Sequence, residues 1–409
     1  MSEGLPHTGE APDSATGSRG RRPVVVIADA HVGVDEPKSA RRRVEMDLAR
    51  VIADHAGAEI VLAGDIFDLS FAPSVERSGE LLGALLDESP NLLAALRNHL
   101  TAGHPVTVVP GNHVAALAEE HVEARLRSRL GVQTGAGLSV HPWFVRRGDV
   151  HIEHGHAYDP DNAPIHPLAS WDAATEPLGI QLTRHFVSRI GAGVFSHAQD
   201  STPLQSIVRA FRAYGARAPL MIAQYFDTAI RLCIESGPRL QEVAAAERRD
   251  GEARLVDFAE MTGLSPLEIA RLEAERLAPT HLSRGAMFSR MYFDRVVATL
   301  LLTSSVVALP RRPSAGIMAI ASLAYLAGSW SRGHNRYAGM PESFLREAAA
   351  RVREATRARL VVFGHTHREE DGEGYANTGT FGFPRQPGRP YILIGEDGSL
   401  SRRRALAGA

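Results

Sequence analysis

The sequence predicts an α/β fold: a largely parallel sheet covered by helices and interrupted by a large, mostly helical insertion. Three observations predict it. Short apolar runs of strand length alternate with stretches of helical hydrophobic spacing. Each run ends in a cluster of Asp, Asn or His side chains. The alternation stops near residue 168 and resumes near residue 358.

The first run, Val24 to Ala28, leads into Asp29 and His31, which are expected to point the same way because strand residues two apart share a face. Val44, Leu48, Val51 and Ile52 then follow helical spacing, with Gly57 as a C-cap. A second run, Glu59 to Ala63, ends in Gly64 and Asp65, with Asp68 close behind. A Leu-rich helix over Gly79 to Leu100 comes next. The third run, Pro105 to Val109, then delivers Asn112 and His113. Two strands, Ser139 to Val145 and Val150 to Glu153, are joined by the turn at Gly148, and the second delivers His154 and His156. After the insertion, Leu360 to Phe363 leads into His365 and His367. A closing meander carries Asn377 and the run Pro390 to Ile394.

The predicted organisation is a disordered leader over 1–22, the fold proper over 23–167 and 358–400, the insertion over 168–357 and a tail over 401–409. With 44% hydrophobic and 22% charged residues among 409, the chain has material for a sizeable core. A net charge of -2 gives no general attraction to nucleic acid. A lone Cys233 excludes an internal disulfide framework and thiolate metal sites. With a leader that lacks an apolar core, it fits a cytoplasmic protein.

Ligand sites in α/β sheets gather at the carboxyl ends of strands. Asp29, His31, Asp65, Asn112, His113, His154, His365 and His367 are therefore expected to converge from positions far apart in the chain. Carboxylates, imidazoles and one amide suit borderline divalent metals such as manganese, iron or zinc. The donors are too many for one tetrahedral ion, and two ions sharing a carboxylate account for them better.

The ordered motifs Asp-x-His, Gly-Asp, Gly-Asn-His, His-Gly-His and Gly-His-Thr-His resemble the calcineurin-like metallophosphoesterase superfamily over residues 23–160 and 358–400. The stretches Ile27 to His31 and Gly64 to Asp68 look further like UDP-2,3-diacylglucosamine hydrolase-type enzymes, although that group usually has Arg where this chain has His113. The resemblance implies a four-layer α/β/β/α sandwich with two divalent ions, manganese first and iron or zinc as alternatives. It assigns Asp29, His31 and His367 to the first ion, Asp65 to the bridge, and Asn112, His154 and His365 to the second. His113 would contact phosphate and protonate the leaving group, and a metal-bridging hydroxide would attack phosphorus. The implied function is hydrolysis of a phosphoester or pyrophosphate, with nucleotide-sugar or lipid-linked substrates favoured. A cyclic-nucleotide phosphodiesterase or nuclease is the alternative, and a protein phosphatase or non-catalytic scaffold stands behind it.

One departure is local. Relatives often place an acid directly after the catalytic histidine, and here Val114 stands there. Asp68 is a candidate to orient His113 instead, with helix capping as its competing role. Asn377 reads as support beneath the ligands, and His156 as a neighbour of His154.

Within the insertion, Val296 to Leu309 and Ala315 to Trp330 contain no charge and are joined by a Pro-Arg-Arg-Pro turn. Each is shorter than the ~20 residues that cross a bilayer. Two readings stand: a helical hairpin buried in a cap over the site, or one dipping into a single leaflet on the inner face of a membrane.

Overall fold

The structure, a computed structural model, describes residues 22–33, 38–72, 74–133, 135–170, 175–188, 203–236, 238–331 and 340–405. The leader expected over 1–22 lies almost wholly outside them. The fold is mixed α/β with two mixed sheets.

The first sheet contains β1 (Val24–Ile27), β2 (Glu59–Ala63), β3 (Val106–Val109) and β4 (Leu138–Val140), each parallel to its neighbour. The second sheet contains β5 (Phe144–Arg147), β6 (Val150–Glu153), β7 (Leu360–Phe363), β8 (Glu369–Gly372) and β9 (Tyr375–Thr378), in the order β5-β6-β7-β9-β8. Strands β10 (Arg389–Ile394) and β11 (Leu400–Ala405) return to the first sheet, β10 antiparallel to β1 and β11 antiparallel to β10 at the edge.

Strand alternation sorts the apolar side chains into distinct clusters. Val24, Val26, Val61 and Val109 of the first sheet pack with Val150, Ile152, Val362 and Ala376 of the second. Val25, Ile27, Ile60 and Leu62 point the other way and pack with Leu48, Leu82 and Leu96 from helices Lys38–Asp54, Ser78–Asp87 and Pro90–Thr101. On the second sheet, Val361, Phe363 and Tyr375 pack with Leu345 and Val352 of helix Met340–Thr356 and with Ile269 and Leu272 of helix Pro266–Ala274.

Four expectations are corrected by this architecture. The Leu-rich helix is two helices, because Pro90 cannot continue the first and instead opens the second. The strand expected over Ser139 to Val145 is β4 and β5, parted at Pro142 and placed in different sheets. The tail expected from residue 401 supplies most of β11, pairing with β10 from Arg389↔Ala405 to Ile394↔Leu400. The insertion is mostly helical as expected, but its apolar hairpin, helices Phe293–Ala308 and Ala315–Ser331, is not buried. Leu300, Val307, Ile317 and Ile320 are all exposed.

Candidate metal centre

The strands deliver the predicted residues to one place by a local device the sequence did not reveal. β1 ends at Ile27, so Asp29 and His31 are not a strand pair sharing a face. Both have left-handed backbone, with φ of 55° and 48°. So do Asp65 (50°), His365 (69°) and His367 (58°). Non-glycine residues there cost roughly 1–3 kcal/mol each and cluster at functional sites. Asp and His are among the few side chains that tolerate the region, so five strained positions occupied by potential metal donors argue for function over chance.

Tight packing explains the glycines in these motifs. A Cβ at Gly364 would sit 2.6 Å from Asp29 Oδ2, and one at Gly111 would overlap the Asp65 carboxylate.

Asp29, His31 and His367 form the first group. His31 Nε2 lies 3.1 Å from His367 Nε2, and Asp29 Oδ1 faces these nitrogens at 3.8 and 3.2 Å. The second group centres on His154 Nε2, which lies 3.1 Å from Asp65 Oδ2 and 3.2 Å from Asn112 Oδ1. Asp29 also lies together with Asp65 and His154, so both carboxylates stand close to the second group.

Each donor has its other atom fixed. Asp29 Oδ2 accepts from the His365 backbone N–H (3.0 Å), and Asp65 Oδ1 accepts from that of His113 (2.9 Å). His154 Nδ1 donates to the Ala63 carbonyl (3.1 Å), which leaves Nε2 as the ring atom facing the Asp65 carboxylate. Asn112 Nδ2 donates to Asn162 Oδ1 (3.1 Å), turning its own Oδ1 toward His154. The residues fit divalent cations on one observation above all. Asp29 Oδ1 is buried and receives no well-angled hydrogen bond from the described residues, yet two imidazole nitrogens crowd it.

Electrostatics point the same way. Burial pushes the carboxyls of Asp29, Asp65 and Asp68 up, but the surrounding imidazoles outweigh it and hold all three below the usual range. Burial likewise opposes charge on His31 and His154, yet the carboxylates raise them to about 10 and about 9. So much buried negative charge calls for compensating positive charge.

His365 stands beside the second group, its ring 5.3 Å from that of His154. Its Nε2 contacts Asp159 Oδ2 at 2.9 Å, so coordination would run through Nδ1. Asp159 was missed in the sequence, although it closes the segment that begins at His154. A carboxylate behind a ligating histidine orients it and strengthens it as a donor. Asn162 ties the two sets, donating to Asp159 (2.7 Å) while holding Asn112.

His113 Nδ1 lies 3.1 Å from Asp68 Oδ2, a hydrogen-bond contact that ties the His113 ring to Asp68. Asp68 also faces His31 Nδ1 at 3.6 Å and is held by Ser70, whose backbone N–H and hydroxyl both donate to Oδ1. Burial lowers the His113 pKa, but Asp68 and Asp65 more than reverse this and raise it. Beside His113 lies a small cavity lined by Ser70, Glu176 and Arg184, the last two from the insertion.

Asn377 donates to the Gly364 carbonyl (2.6 Å) and accepts from Gly379 N (3.0 Å), bracing the loop that carries His365. His156 is buried 5.4 Å from the His154 ring. Burial and the neighbouring His154 and His365 hold its pKa well below the ordinary value, so it stays neutral.

No family model matches the chain, and no curated protein matches it.

Proposed function

We propose that the chain is a dinuclear metal-dependent phosphoesterase of the calcineurin-like type. The observation that carries this reading is the pair of adjoining donor groups around Asp29, backed by a carboxylate-held histidine at His113. Asp29, His31 and His367 would hold one ion, and Asn112, His154 and His365 the other, with Asp65 and Asp29 as candidates for the shared carboxylate. The three apolar clusters support a four-layer α/β/β/α sandwich around this centre.

Two divalent cations, manganese first and iron or zinc next, would supply Lewis acidity and water acidified from about 15.7 toward ~7. The protein residues do the rest. His113, held through Nδ1 by Asp68, keeps Nε2 as the atom that gives a proton to a departing oxygen. Against burial, Asp68 and Asp65 raise its pKa, which favours the protonated form. Ser70 and Asp68 stop the ring from turning. The substrate class is a phosphoester or pyrophosphate, and the apolar hairpin favours a lipid-linked or nucleotide-sugar compound.

Hydrolysis of an aryl phosphate by manganese-loaded protein tests the reading. Turnover should vanish with a chelator and fall at least ~100-fold in Asp65→Ala. Full turnover by Asp65→Ala would refute the proposed centre.

A further inference from the structure

The exposed hairpin, helices Phe293–Ala308 and Ala315–Ser331, is built inside out. Its seam contains small residues: Ala298 and Ser305 on one helix, Ser322 and Ser329 on the other, all buried. The large apolar side chains point away from the seam. Ile317 is 76% exposed, Ile320 70%, Val307 69%, Leu300 64% and Trp330 63%. Val296, Val297, Leu301 and Val306 on the first helix and Met318, Leu323 and Tyr325 on the second are exposed as well, and at 100° per residue the two exposed sets span roughly two-thirds of each helix's circumference.

In water such a surface is a liability, since exposed apolar patches of this extent mark interaction sites. A second protein copy would cover one side of it. Only a surrounding apolar medium covers two-thirds of both helices at once.

The hydroxyls fit the same medium. Thr299 donates to the Arg295 carbonyl (2.7 Å), Thr303 to that of Thr299 (2.9 Å) and Ser304 to that of Leu301 (3.1 Å). These hydroxyls need no water as acceptor, as hydrocarbon requires. Small residues at a helix seam with large ones outside is the packing used where lipid, rather than water, surrounds the pair.

We propose that this hairpin enters the hydrocarbon layer of a lipid bilayer and holds the protein on the membrane. Among the described residues no single helix is long and apolar enough to cross. The two helices have 16 and 17 residues, about 24–26 Å against a hydrocarbon core of ~30 Å. Arg311 and Arg312, exposed at the tip, make up the difference by reaching headgroup phosphates with their long side chains, aided by local thinning. Arg295, at the base, donates to the Ser329 hydroxyl (2.8 Å) and carbonyl (3.1 Å) and pins the two helices together. The base joins helix Arg284–Arg290 at a 68° bend, and Arg290 there pairs with Asp161, two residues beyond the Asp159 that holds His365. The base of the hairpin is therefore tied by an ion pair to the segment that carries Asp159.

The inference stands apart from the phosphoesterase reading, because its test measures binding. Full-length protein should float with vesicles of equal parts phosphatidylglycerol and phosphatidylcholine. The Trp330 emission should shift to the blue on binding, and Trp330→Phe should remove that shift. Ile317→Asp and Ile320→Asp should each lower partitioning roughly 100-fold, with unchanged circular dichroism because both positions are exposed. Asp65→Ala should float like the parent chain, which separates failure of the anchor from failure of the catalytic reading. The proposal is overturned if the parent chain does not float or if the Asp variants float equally well. Self-association through the hairpin without flotation, abolished by the same variants, would overturn it in favour of a second copy. Should the variants misfold, quenching of Trp330 by brominated lipid in the parent chain decides the matter: quenching supports insertion and its absence contradicts it.

Discussion

At the scale of single residues, the candidate centre depends as much on what stands behind the donors as on the donors themselves. Asp159 holds His365, and its change to Asn should weaken metal affinity by ~10–100-fold while leaving the fold intact, measured by titration with manganese. Asp68 holds His113. Asp68→Asn should therefore keep the bound metal and lose turnover by ~100-fold, close to the loss from His113→Ala. Equal losses in the two single variants and no further loss in the double variant would mark them as one unit. All eight of the strand-end residues were readable from the sequence, because motif order and strand-end placement single them out. Asp68 was readable as an alternative. Asp159 was not, since an acid five residues beyond a histidine has no distinctive spacing. Neither was the left-handed backbone at Asp29 and His31, which sequence periodicity cannot report.

At the scale of elements, strands β1, β2, β3, β6, β7 and β10 were legible as apolar runs, while the short polar β8 and the arginine-rich β11 were not. β11 is held by pairing and by ion pairs rather than by hydrophobic pattern. Arg402 donates to the carbonyls of Asn377 (2.8 Å), Thr378 (3.2 Å) and Glu370 (3.0 Å) and pairs with Asp371 (2.6 Å). This clamps an edge of the first sheet to the second. Arg402→Ala should cost ~1–3 kcal/mol, read by chemical denaturation, because partly buried carbonyls lose a charged donor. The two helices around Pro90 and the two strands around Pro142 were merged in the sequence reading, because hydrophobic spacing carries across a proline that ends hydrogen bonding.

At the scale of the whole molecule, burial of neutral histidines sets an acid limit. Burial and the Arg147 guanidinium hold His141 at about 4, and burial and Arg276 hold His166 at about 4. The Leu168 N–H donates to His166 Nδ1 (3.2 Å), a bond that requires that nitrogen unprotonated. The folded pKa values lie below the unfolded value of about 6.5, so the unfolded chain binds more protons. The contribution of these two histidines to stability should be full above pH ~6.5 and fall by a few kcal/mol as pH drops toward ~4. Thermal melts across that range should show the slope, and His166→Gln should flatten it. The insertion was legible as helical and its hairpin as apolar. Whether the hairpin is buried was not, because an apolar helix reads the same in a core and in lipid. The dinuclear centre itself is tested most directly by counting metal ions bound per chain after manganese loading and removal of excess. The account predicts two ions in the parent chain, and one in both His367→Ala and His154→Ala. One ion or none in the parent chain, or two retained in both variants, would contradict it.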